Sequence, residues 1–92
     1  MNKVWHAMAD ETRREILKLL RQRDMCASEI AGHFGTTQAT ISHHLSILRE
    51  ANLVTSTKSA QTITYSLNTT VWQEFCCGLM NFMKKGKGEE ND

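Results

Sequence analysis

The chain has 92 residues, no proline, three cysteines and a formal net charge of +1, enough for one domain with a modest core. No apolar stretch approaches the ~20 residues that span a bilayer. The N-terminus, MNKVWHAMADETRRE, lacks the apolar segment of a secretory signal. A cytoplasmic location is therefore expected. Cys26, Cys76 and Cys77 are odd in number and two are adjacent, so no disulfide framework is evident.

In chain order, Val4 and Met8 stand four apart beside Trp5, which suits a short amphipathic first helix. Asp10 reads as the N-cap of a second helix, in which Ile16, Leu17 and Leu20 recur at helical spacing before it fades near Arg23. Ala27, Ile30, Ala31 and Phe34 mark the buried face of a third, ended by Gly35 in a left-handed conformation. Thr37 caps a fourth, with Ile41, Leu45 and Leu48 inward and an end near Ala51.

Residues 53–57 and 62–67 are rich in β-branched side chains and flank the polar stretch Lys58-Ser59-Ala60-Gln61, a hairpin pattern. Asn68-Thr69-Thr70 opens a last helix whose Trp72, Phe75, Leu79 and Phe82 recur at intervals of 3, 4 and 3 residues, close to a heptad seam, with Cys76 and Met83 alongside. Lys84, Lys85 and Lys87 suit the C-terminal end of its dipole. The expected domain is 1–86, with a disordered acidic tail over 87–92.

The order α-α-α-α-β-β-α predicts a mainly helical domain with a small two-stranded β-wing, a winged helix-turn-helix. The fourth helix has one apolar face and one of small hydrogen-bonding side chains. That division suits a helix laid between a core and the base edges of a DNA major groove. The charge is compatible once its distribution is considered. Without the last five residues, GEEND, 11 bases face 7 acids, or +4 per chain and +8 per dimer, so DNA affinity should be modest and salt-dependent.

The terminal helices carry more apolar surface than so small a core requires. A homodimer interface through Val4, Trp5, Met8, Trp72, Phe75, Leu79, Phe82 and Met83 accounts for it; the alternative is that the last helix packs only on its own domain.

Three segments resemble the ArsR/SmtB family of bacterial and archaeal repressors: Ala9-Asp10-Glu11-Thr12-Arg13-Arg14-Glu15-Ile16-Leu17, Thr37-Gln38-Ala39-Thr40-Ile41-Ser42-His43-His44-Leu45, and Ile63-Thr64-Tyr65-Ser66-Leu67. The likeness extends from Val4 to about Lys85. It implies a homodimeric repressor acting on an inverted repeat in double-stranded DNA. Asp24-Met25, Tyr65 to Val71, Asn81-Phe82 and Lys85-Gly86 resemble one subgroup of autorepressors, in which a membrane protein relieves repression by sequestering the repressor.

Carried over position by position, the DNA-facing residues are Gln38, Ala39, Thr40, Ser42 and His43. Gln38 can pair bidentately with adenine, the Ala39 methyl can meet a thymine methyl, and Thr40, Ser42 and His43 can reach phosphates or base edges. Thr40 can equally serve the helix cap alone, and His43 can be a solvated surface residue. His44, nearer the core side, reads as structural. Lys58 and Gln61 are the wing contacts, although this tip has one base and Ala60 where the family usually carries glycine. Arg13, Arg14 and Arg49 can add backbone contacts, or Arg13 and Arg14 can hold the second helix against neighbouring carboxylates.

Many relatives sense metals, and the ligands of those sites are missing here. The thiolate site needs a Cys-x-Cys-like pair where this chain has only Cys26, and the last-helix zinc site needs His and Asp where residues 70–85 hold neither. No metal, cofactor or small-molecule substrate is expected. Cys26 with Cys76 or Cys77 leaves a thiol-responsive repressor as the alternative; Cys76 and Cys77 both read as small buried hydrophobes. A winged helix used only for protein assembly is a further reading, against which the polar face of residues 38–43 argues. No catalytic triad, phosphate-binding glycine loop or paired carboxylate motif points to an enzyme.

Overall fold

A computed structural model describes residues 2–91 of the chain, with side chains for 3–84. Five helices and three strands follow in the order α1 (Asn2–Met8), α2 (Glu11–Gln22), β1 (Met25–Cys26), α3 (Ala27–Phe34), α4 (Gln38–Glu50), β2 (Val54–Ser59), β3 (Thr62–Leu67) and α5 (Thr69–Asn91). This is the expected winged helix-turn-helix with one strand added. The expected domain end at Gly86 and the acidic tail fall where no side chain is described, and Asp92 lies outside the described residues altogether. No described helix is long and apolar enough to cross a membrane.

Local chemistry sets the helix ends. Asp10 caps α2 by accepting the Arg13 backbone N–H at 3.0 Å, and Thr37 caps α4 by accepting that of Thr40 at 3.2 Å. Asn68 Oδ1 accepts from the Val71 N–H at 3.4 Å at the start of α5. Gly35 ends α3 with φ 62° and ψ 31°, the left-handed conformation that glycine adopts without a Cβ penalty.

The end of α4 uses a Schellman arrangement. Asn52 is left-handed at φ 62°, its N–H donates to the Arg49 carbonyl at 3.0 Å, and the Leu53 N–H donates to that of Leu48 at 3.0 Å. Leu48 and Leu53 are both fully buried, which supplies the apolar contact such an end favours. The chain thereby reverses directly from α4 into β2.

The core gathers one stripe from each helix. Ile16, Leu17 and Leu20 of α2, Ile30 and Ala31 of α3, and Ile41, Leu45 and Leu48 of α4 meet Met25, Leu53 and Val54. Val4 and Phe75 are also buried here, within the protomer. Those two side chains therefore contribute to the folded chain itself and not to its free surface.

The sheet order is β1-β3-β2, antiparallel throughout. The two-residue β1 pairs Met25 with Tyr65 and Cys26 with Thr64. It covers the second edge of β3 and joins the base of the wing to the residue that opens α3. The wing turn is tighter than the polar stretch suggested. Ser59 pairs with Thr62 and Lys58 with Ile63, so Lys58 and Ser59 belong to β2 and only Ala60 and Gln61 form the turn. Ala60 holds φ 57°.

Candidate nucleic-acid interface

Helices α3 and α4, joined through Gly35, Thr36 and Thr37, form the helix-turn-helix. The partition of α4 is strict. Ile41, Leu45 and Leu48 are 0% exposed, while Gln38, Ala39, Thr40, His43 and Ser46 are exposed and Ser42 is half-buried. Inward and outward residues alternate at helical spacing, so the same packing that seats α4 also aims its polar face outward.

Gln38 and Ser42 line a groove of about 260 Å³ with Cys26, Ser28, Gln61 and Thr62 among its other walls. One wing residue, Gln61, thus joins the fourth-helix residues on a shared surface. Lys58 is exposed on β2 opposite Ile63 and is not among the groove walls. Thr40 supports the cap of its own helix, since its hydroxyl lies 2.9 Å from that of Thr37 and its N–H donates to the same oxygen.

His44 is held from the opposite side. Its Nδ1 lies 3.3 Å from an Arg13 guanidinium nitrogen and 3.8 Å from Asp10 Oδ2. A guanidinium only donates, so in this contact Nδ1 can serve only as the acceptor, which the neutral ring with its proton on Nε2 allows. Arg13 is buried, and it also donates to the carbonyls of Ala7 at 2.8 Å and His6 at 3.0 Å. Arg14 donates to the Met8 carbonyl at 2.7 Å. Both arginines therefore hold C-terminal carbonyls of α1, a favourable place for a cation. They bind carbonyls where the sequence suggested carboxylates, and Arg13 is occupied rather than free to meet a phosphate.

This clamp links α1, α2 and α4, and sequence reading missed it. One signal was present: two arginines in the first turn of α2 oppose that helix's own dipole, which is a local inconsistency with a tertiary cause. The Arg13 backbone N–H, chiefly, holds the Asp10 carboxyl below its ordinary pKa, with the Arg13 guanidinium and His44 adding to it. Glu29 is lowered in the same way. Its carboxylate accepts the Cys26 N–H at 3.1 Å and meets Arg23 at 3.2 Å.

The cysteines lie in different settings. Cys26 is half-buried beside the groove, its Sγ 3.2 Å from Ser28 Oγ. Cys76 packs against the core, whereas Cys77 is exposed, contrary to the expectation that both are buried. It stands about 100° further round the helix than Cys76, off the packed stripe. Among the described residues, no three His, Cys, Asp or Glu side chains converge as a metal site would require.

A second surface lies on α1 and α5. Trp5 stacks edge-on to Phe75 at 5.2 Å and is 52% exposed, beside Phe82 at 76%, Met80 at 68% and Met83 at 62%. Trp72, Leu79 and Met8 are half-buried against the core. Met80 was not among the residues expected at an interface, because it falls off the heptad seam.

The family model for bacterial regulatory proteins of the arsR family matches residues 10–56. The transcriptional repressor SdpR of Bacillus subtilis is 46% identical over 89 residues, covering 97% of this chain and 99% of the relative. The crystal structure of NolR from Sinorhizobium fredii superposes with a TM-score of 0.73 at 33% identity, covering 88% of this chain and 81% of that one. A homodimeric winged helix-turn-helix DNA-binding domain from Mycobacterium bovis shares the fold, with a TM-score of 0.75 at 24% identity over 95% of this chain and 82% of that one. The chain belongs to the arsR family of DNA-binding transcriptional regulators.

Proposed function

We propose that the chain is a homodimeric autorepressor that binds an inverted-repeat operator through α4 and the wing, and that neither a metal nor a small molecule controls it. The observation that carries this reading is the division of α4, whose outward Gln38, Ala39, Ser42 and His43 back onto an apolar row with no exposure. Gln38, Ala39, Thr40, Ser42 and His43 read or grip the major groove, Gln61 meets the backbone beside them, and Lys58 adds a phosphate contact from β2. Two such helices related by a two-fold axis match a palindromic site. The near full-length likeness to a repressor supports repression over activation. Sequestration by a membrane partner is the mode of relief that fits a chain without sensor ligands.

A second reading, thiol control, has one observation in its favour: Cys26 stands in the groove with Gln38 and Ser42, where an adduct on sulfur would occupy space needed by DNA. Fluorescence-anisotropy titration of the chain's own promoter DNA, with and without reductant, tests both. Tight, salt-sensitive and sequence-selective binding in both conditions is expected. Loss of binding on oxidation would establish thiol control, and no selective binding in either condition would overturn the repressor reading.

A further inference from the structure

The homodimer proposed above leaves open how two copies meet, and the surface of α5 supplies a self-complementary answer. Trp5, Phe75, Gly78, Leu79 and Phe82 line one apolar groove of about 280 Å³. A Cβ at Gly78 would meet nothing within 4 Å, so this glycine leaves a recess in the helix surface. Four residues on, Phe82 projects from the same face, three-quarters exposed. Recess and knob are thus neighbours on one helix.

Under a two-fold axis at the height of residue 80, each residue n faces residue 160 − n of an antiparallel copy. Phe82 then lies over Gly78 of the other chain, and its own Gly78 receives the other Phe82. An isologous interface requires this reciprocity. Area favours a second copy as the occupant. Trp5 and Phe82 alone expose roughly 300 Å² of aromatic surface, taking typical burial areas for such side chains. That is already as large as a usual monomer patch, and it is a substantial part of the ~800 Å² per partner in a standard interface. Met80 lies about 160° round the helix from both Gly78 and Phe82, and so faces away from this contact.

We propose that Phe82 of each protomer seats in the Gly78 recess of its twin, and that this knob-into-recess register selects a second copy of this chain as partner. The proposal rests on the homodimer reading. Gly78→Phe fills the recess from a position whose Cβ meets nothing within 4 Å, and it removes a glycine from a helix interior, so helicity should not fall. The exchange Gly78→Phe/Phe82→Gly keeps the helix composition and moves the knob by one turn.

Sedimentation equilibrium and native mass spectrometry of the full chain, with far-UV circular dichroism alongside, make the test. The wild type should dimerise. Gly78→Phe should weaken the dimer on the order of 100-fold, the scale of a central interface anchor, with an unchanged helical spectrum. The exchange chain should dimerise again with itself. It should not form mixed dimers with wild type, because two phenylalanines would collide at one contact and two glycines would leave a hole at the other. Met80→Glu should leave dimerisation intact.

An unweakened Gly78→Phe dimer, an exchange chain that stays monomeric, or free mixing with wild type would each overturn the register. Dimer loss in Met80→Glu with Gly78→Phe unaffected would place the interface on the other flank of α5. A wild-type chain that is monomeric at every concentration would instead overturn the homodimer reading beneath the proposal.

Discussion

Helices α4 and α5 are both amphipathic, but only α4 is complete within one protomer. All three members of its apolar row are sealed, and what is exposed is polar apart from Ala39. Among the described side chains of α5, Phe75 alone is buried, while Phe82 and Met83 stay largely in solvent. The difference separates two kinds of apolar side chain that look alike in a helical repeat. One kind holds the domain together, and the other is surface awaiting a partner. A substitution on α4 should therefore be read in stability, and one on the outer face of α5 in association.

The sharpest way to break that contrast is a pair of truncating changes. Leu45→Ala should cost about 2–5 kcal/mol, because it opens a cavity among rigid neighbours. Phe82→Asp should leave protomer stability within about 0.5 kcal/mol, as exposed positions do, while abolishing the dimer. Urea melts at concentrations where the wild type is monomeric, with sedimentation equilibrium alongside, would check both. Leu79→Asp is a poorer probe of the interface, since Leu79 also packs on its own core. If Phe82→Asp unfolded the protomer, α5 would be as complete as α4.

The next largest effect concerns what positions α4. Arg13→Ala removes three hydrogen bonds from a buried site and leaves the His6 and Ala7 carbonyls without their guanidinium partner. A loss of about 2–3 kcal/mol is expected. Arg14→Ala, at an exposed bond, should cost no more than about 0.5 kcal/mol. Equal losses in the two variants would show that the clamp through His44 contributes nothing. On the outer face of α4, Gln38→Ala should reduce operator affinity by about 1–3 kcal/mol and blur one base position, with thermal stability unchanged. Anisotropy against single-base operator variants would measure it.

Much of this division was legible in the sequence because it follows from period and caps. The row Ile41, Leu45, Leu48, the caps Asp10 and Thr37, and the left-handed Gly35 are all local signals, and each operates in the fold. The missing features are those created by a distant partner. Met25-Cys26 is too short to read as a strand and becomes one only because β3 offers an edge. Arg13 and His44 are 31 residues apart in sequence, so no window could join them. Val4 and Trp5 are adjacent and both apolar, but the first is core and the second surface, a distinction set by how α1 lies on the domain. At the site, the outward residues of α4 follow from periodicity, whereas the meeting of Gln61 with Gln38 and Ser42 depends on the tight turn at Ala60.

Acid should act on the caps before the core. Asp10 and Glu29 both have lowered pKa values in the folded chain, so each contributes stability above its unfolded pKa that is lost as pH falls through the folded value. The loss should begin as pH drops to about 4, the ordinary carboxylate range. Asp10→Asn should flatten part of the slope in thermal melts between pH 6 and pH 3. The part assigned to Asp10 is modest, because its side chain is 37% exposed. A slope unchanged by the substitution would locate the acid sensitivity elsewhere.

The smallest effect tests the wing tip. Ala60 and Asn52 are both left-handed, at φ 57° and 62°. Asparagine tolerates that region through local hydrogen bonding, whereas alanine carries a Cβ penalty of about 1 kcal/mol with no compensation. Glycine removes the penalty but makes the unfolded chain more flexible, which offsets part of the gain. Ala60→Gly should therefore stabilise the protomer by no more than about 0.5–1 kcal/mol, and Asn52→Gly by less. If Ala60→Gly were destabilising, the turn would not hold alanine in a left-handed conformation. The placement of Gln61 against Gln38 and Ser42, which depends on that two-residue turn, would then be wrong as well.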